Sequence, residues 1–225
     1  MLKRSWLVVS MAAVVLAGCR NKEAAEEAAP AAESTAVPAP AAPAEGAPVP
    51  APAEAKAFDV NTIAVSDKPL GQWPYLVLPA GYAFEHADKL REQTKDLARV
   101  PVWTGSGYTW VEGKVFVDGI DASEGKTWSQ FELRKGIQST LEALGAVKIG
   151  EVAATEEAIA AEDAALTAFK DEFGAMYHTA VGGPQGADAY ALRTADRLLW
   201  FVPLVRKDDG ALMVVEAPLP SPPAP

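Results

Sequence analysis

The chain has 225 residues, 49% of them hydrophobic, and carries 20 Lys and Arg against 30 Asp and Glu, a formal charge of −10. That balance repels phosphate backbones and argues against a nucleic-acid partner. A single cysteine excludes an internal disulfide, so stability has to come from a packed core.

The first element is a leader. Lys3 and Arg4 precede an apolar run from Trp6 to Val15, which ends in Leu16-Ala17-Gly18-Cys19. A basic start, a short apolar stretch and small residues make the pattern of a secretory signal peptide. The run falls short of the roughly 20 apolar residues that a membrane-spanning helix needs. Leu16-Ala17-Gly18-Cys19 resembles the lipobox of bacterial lipoproteins. The resemblance implies that the Cys19 thiol receives a diacylglyceryl group, that the leader is cut before it, and that the new amine is acylated. One acyl chain holds a protein only marginally at about 0.8 kcal/mol per buried methylene, whereas three would anchor it almost irreversibly. Arg20 stands where an Asp would mark retention at the inner membrane, so the resemblance implies the periplasmic face of the outer membrane. An ordinary signal peptide with a chance cysteine is the alternative. Loss of the leader removes Lys3 and Arg4 and leaves 18 basic against 30 acidic residues, a charge near −12.

From Arg20 to about Lys56 the chain is nearly all Ala, Pro and Glu, with almost nothing to bury. It is expected to stay extended or disordered as a linker from residue 19 to 57. In polyproline II form it would reach on the order of 100 Å, and as a flexible coil about a third of that.

A single ordered domain is expected over residues 58–217, with a disordered tail from Pro218. Phe58 to Ser66 alternates in part. Leu70 to Pro79 reads as a strand bracketed by Pro74 and Pro79, and so placed at an edge. Ala83 to Arg99 is charged, a loop or short helix anchored by Leu90 and Leu97. Val100–Trp103 and Trp110–Asp118 form a hairpin through Gly105-Ser106-Gly107. In its second strand Val111, Gly113, Val115 and Val117 face the core, while Glu112, Lys114 and Asp118 face water.

A helix follows. Thr127 or Ser129 caps it, Ser129 with Glu132 fits a capping box, and Leu133, Ile137, Leu141 and Leu144 form one stripe ending at Gly145. Ala146–Gly150 is a short strand. A second helix opens at Thr155 and buries Ile159, Leu166, Phe169 and Phe173, with Glu162 on its apolar stripe. Beyond the loop Gly182 to Gly186, strands are expected at Ala189–Arg193, Leu198–Val205 and Leu212–Glu216, with Pro203 arguing for an edge or a bulge. The predicted fold is α+β, a largely antiparallel sheet with two helices packed on one face.

Phe58-Asp59-Val60-Asn61-Thr62-Ile63, Leu70-Gly71-Gln72-Trp73-Pro74-Tyr75, Leu78-Pro79-Ala80-Gly81-Tyr82, Val111-Glu112-Gly113-Lys114-Val115 and Leu199-Trp200-Phe201-Val202 resemble the membrane-proximal domain of some OmpA-family outer-membrane lipoproteins. In those proteins a peptidoglycan-binding domain follows. Here its residues have no counterparts, so peptidoglycan binding is not expected, and the resemblance implies no catalysis.

His86, beside Glu85 and Asp88, and His178 are the side chains suited to a metal or a general base near neutral pH. Their spacing matches no zinc pattern, and no Gly-x-Ser-x-Gly elbow occurs. Gly182-Gly183-Pro184-Gln185-Gly186 lacks the phosphate-loop lysine. No catalytic residue, metal or cofactor is therefore expected. The tryptophans are the least ordinary feature, and Trp73, Trp103 and Trp110 are the candidate interface residues. The sequence points to a non-catalytic domain, tied to the membrane at Cys19, that binds an envelope protein. A periplasmic enzyme or metal-dependent hydrolase using His86 and His178 and a structural stand-off module are the alternatives.

Overall fold

The chain divides into two units at Pro50 and Ala51, and a computed structural model describes residues 58–150, 154–174 and 188–219, all in the second unit. The leader, Cys19, the linker, His178, the loop Gly182 to Gly186 and the end of the tail lie outside the described residues.

The elements in chain order are β1 (Tyr82–Phe84), β2 (Thr94–Trp103), β3 (Tyr108–Ala122), α1 (Gln130–Leu144), β4 (Val147–Gly150), α2 (Glu156–Ala161), α3 (Asp163–Phe173), β5 (Ala189–Arg193), β6 (Arg197–Val205) and β7 (Gly210–Pro218). The strands make one antiparallel sheet in the order β1-β3-β7-β6-β5-β4, and β2 joins β1 on the outer edge of the long β3. The fold is α+β, as the alternation of strands and helices predicts. The far end of the sheet curls back toward the β2–β3 turn. An added Cβ on Gly150 would stand 2.8 Å from the Trp103 carbonyl oxygen.

Helices cover the two faces separately, where packing on one face was expected. On one face Leu133, Ile137 and Leu141 of α1 join Phe116, Ile120, Leu199, Phe201, Leu212 and Val214. On the other, Phe169 and Phe173 of α3 pack with Val100, Val115, Trp200, Val202 and Met213. Strands β6 and β7 send alternate side chains into both clusters, which is why they read as continuous apolar runs.

Local signals set α1. The Ser129 hydroxyl accepts the Glu132 backbone N–H at 3.3 Å, and Gly145 closes the helix at φ 87°, where a side chain would be strained. The return half of the capping box is replaced. Glu132 instead takes Lys126 at 2.7 Å, and the Ser129 N–H donates to the Tyr82 hydroxyl. The helix expected from Thr155 is broken at Glu162 into α2 and α3.

Several expectations change where distant residues intervene. Phe58 to Ser66 is no strand. It forms a short 3-10 turn, Val60–Thr62, capped by Asp59, and a lone bridge from Val65 to Arg193. Leu70 to Pro79 is an irregular strap laid over the α1 face, with left-handed backbone at Gly71 and Tyr75 interrupting any extended run. The charged stretch from Ala83 to Arg99 holds the end of β1, a 3-10 turn at Ala87–Lys89 and the start of β2. Leu97 is no anchor: it is 77% exposed, beside a break in register between Lys95 and Ala98 that turns it outward. The wet face of β3 is wet only at its start. Phe116, Asp118 and Ile120 are buried because the strap, β1 and α1 cover them. Pro203 lies inside β6 opposite Leu212, but β5 pairs only as far as Phe201, so the missing N–H falls at a local edge. Strand β7 continues to Pro218, one residue beyond the expected domain limit.

Candidate functional site

The three candidate tryptophans separate. Trp103 is 6% exposed and packed edge-to-face on Tyr108, and it is no surface anchor. Its place at the end of β2, next to the curled β4, encloses it. Trp110 is half-buried. Its indole N–H donates to Glu162 at 3.0 Å and the Arg99 guanidinium lies 4.9 Å from its ring, so it ties the α2–α3 break to the hairpin. Glu162, an acid on an apolar stripe, thereby finds its partner. Trp110 also lines a shallow groove of about 310 Å³ with Phe58, Trp200 and Pro218.

Trp73 occupies different ground, at the tip of the strap. Its indole N–H donates to the Thr94 hydroxyl at 3.0 Å, and that hydroxyl donates to the Leu90 carbonyl at 2.7 Å. Edge-to-face contacts with Tyr75 and Phe116 fix the ring. It forms one wall of a cleft of about 310 Å³ shared with Leu90, Arg91, Thr94, Asp96 and Lys114. The Lys114 ammonium stands 4.4 Å from the ring centroid. Neither Lys114 nor Arg91 has a carboxylate partner among the described residues.

Behind Trp73 the strap is tied to the sheet. The Tyr75 hydroxyl donates a short hydrogen bond to Glu216, which also pairs with Arg197 at 3.2 Å. Burial, and then the Glu216 carboxylate, push the Tyr75 phenol up from its ordinary value. Arg197 also holds Asp196 at 2.6 Å.

The second cluster sits where β1 leaves β3. Asp118 has no exposure at all and lies between the buried Phe116 and Ile120 on its face of β3. It is satisfied by three donors: the His86 N–H at 3.0 Å, the Gly119 N–H at 2.9 Å and His86 Nδ1 at 2.8 Å. A buried charge is tolerable only with such pairing. The hydrogen bond to Asp118 is the largest influence holding the His86 imidazole above its usual pKa. The Glu85 carboxylate completes the group, whose ligand atoms all lie within 4.8 Å of one another. His86 was visible as a candidate in the sequence. Asp118 was not, although an acid between Phe116 and Ile120 at period two is a signal of a satisfied buried charge.

Among the described residues no helix is long and apolar enough to cross a membrane. No protein-family model, curated protein or solved structure matches the chain.

Proposed function

We propose that the chain is a lipid-anchored cell-envelope protein whose α+β domain, spaced from the periplasmic face of the outer membrane, binds a second envelope protein without catalysis. The observation that carries this reading is the Trp73 cleft. A ring already fixed by Thr94, Tyr75 and Phe116 loses little freedom on binding, and two cations without carboxylate partners stand beside it in an acidic chain. Trp110 remains a candidate contact, while Trp103 is withdrawn. The Leu16–Cys19 motif supports the anchor, and the likeness to lipoprotein membrane-proximal domains supports the compartment.

The test is cross-linking in intact cells, with the captured protein identified by mass spectrometry. Lys114→Gln and Arg91→Gln remove charge at the cleft without removing any packed ring. Each should reduce capture of a dominant envelope protein about tenfold at an unchanged thermal midpoint. Undiminished capture by both variants would remove this surface from the reading. In the same cells Cys19→Ser should release the chain from the membrane fraction. A metal-dependent hydrolase is the second reading, and the His86–Asp118 pair is the observation that favours it.

A further inference from the structure

Where β1 ends, the backbone places donors of two chemical kinds against β3. Phe84 pairs with Ile120, the Glu85 N–H donates to the Gly119 carbonyl at 3.0 Å, and the His86 N–H donates to Asp118. Gly119 is the notch that permits it. An added Cβ there would stand 2.3 Å from the Glu85 carboxylate, so another residue at this position would drive that side chain away. The Glu85 carboxylate accepts no hydrogen bond among the described residues, yet it is folded over the notch toward a second carboxylate. All three side chains bring a ligand atom within 4.8 Å of the others.

We propose that Glu85, His86 and Asp118 bind one divalent transition-metal cation, of which zinc fits the donor set best. An imidazole nitrogen with two carboxylate oxygens suits zinc, whereas magnesium and calcium take oxygen donors. Two donors at the tetrahedral angle about zinc, with bonds of about 2.1 Å, stand about 3.4 Å apart. His86 Nδ1 and Asp118 Oδ1 are 2.8 Å apart, so the pair opens by about 0.6 Å to take the ion. Nδ1 releases its proton to solvent as the metal replaces it. Asp118 stays in place, because the His86 and Gly119 backbone N–H groups still hold its two oxygens. With Glu85 exposed and His86 partly so, the remaining coordination positions face solvent and take water or a donor from another molecule.

The probe is Zn²⁺, titrated into the full chain in detergent by calorimetry and in competition with a chromogenic chelator. One equivalent should bind saturably. His86→Ala and Glu85→Gln should each weaken binding by about tenfold or more, and His178→Ala should bind as the parent does. His86→Ala deprives a buried acid of a donor. If that variant fails to fold, Glu85→Gln, which removes no hydrogen bond, carries the test. Gly119→Ala keeps every donor and should weaken binding to a similar extent by displacing Glu85. Absence of saturable binding, or binding unchanged in Glu85→Gln and in folded His86→Ala, would overturn the site.

Discussion

Asp118 and Asp196 show how differently two acids can be held. Asp118 is enclosed and saturated with donors. Asp196 lies in the exposed β5–β6 turn, where Arg197 and then the Thr194 hydroxyl depress its carboxyl from 3.8 to about 2. A carboxyl with a folded pKa below its unfolded one contributes stability that is fully present above the unfolded value. That contribution is lost as pH falls through the folded one. For Asp196 the window runs from about pH 4 down to about pH 2. Asp196→Asn should therefore lose less of its urea midpoint across that window than the parent does, and parallel profiles would show that the pair contributes nothing. The turn itself is legible in Ala195-Asp196, because turn chemistry is local. The burial of Asp118 is not, since its cover arrives from His86, 32 positions earlier.

At the scale of elements, the same contrast separates α1 from the strap. The start, stop and buried stripe of α1 can all be read from Ser129, Gly145 and the 3.6-residue period, each a local device. The strap from Leu70 to Pro79 has strand-like composition but no strand partner. Its shape comes from what it lies on, with Leu76 buried, Tyr75 tied to Glu216 and Pro79 against α1. Gly136 marks that contact. Helix propensity alone favours alanine there by about 1 kcal/mol. An added Cβ, however, would stand 2.2 Å from Cγ of Pro79, whose ring cannot swing aside. Overpacking of this kind costs about 1–3 kcal/mol, so Gly136→Ala should lower stability in urea unfolding despite its better propensity. A gain would mean that the strap is not seated on the helix. The Trp73 cleft depends on that seat, because the strap carries Trp73 to Thr94.

For the molecule as a whole, the decisive feature is that the described sheet is buried on both faces by helices set on opposite sides. The apolar runs at Leu198–Val205 and Leu212–Val215 announce double burial, yet no local pattern says which helix covers which face. A helix stripe records that one side is buried and carries no address for its partner. The two clusters meet within single strands, since Trp200 and Val202 point to one while Leu199 and Phe201 point to the other. Losing either layer exposes one side of β6 and β7 and weakens the ladder that holds the opposite layer. The domain should therefore unfold as one unit. Ile137→Ala, on the buried side of α1, and Phe169→Ala, on the buried side of α3, each empty a buried position and should cost about 2–5 kcal/mol. Both should shift one common transition, in which near-ultraviolet tryptophan signals and far-ultraviolet backbone signals coincide. A variant that melted one signal ahead of the other would show that the layers are held separately. The Trp73 cleft, built on the α1 face, would then be insulated from changes beneath α3.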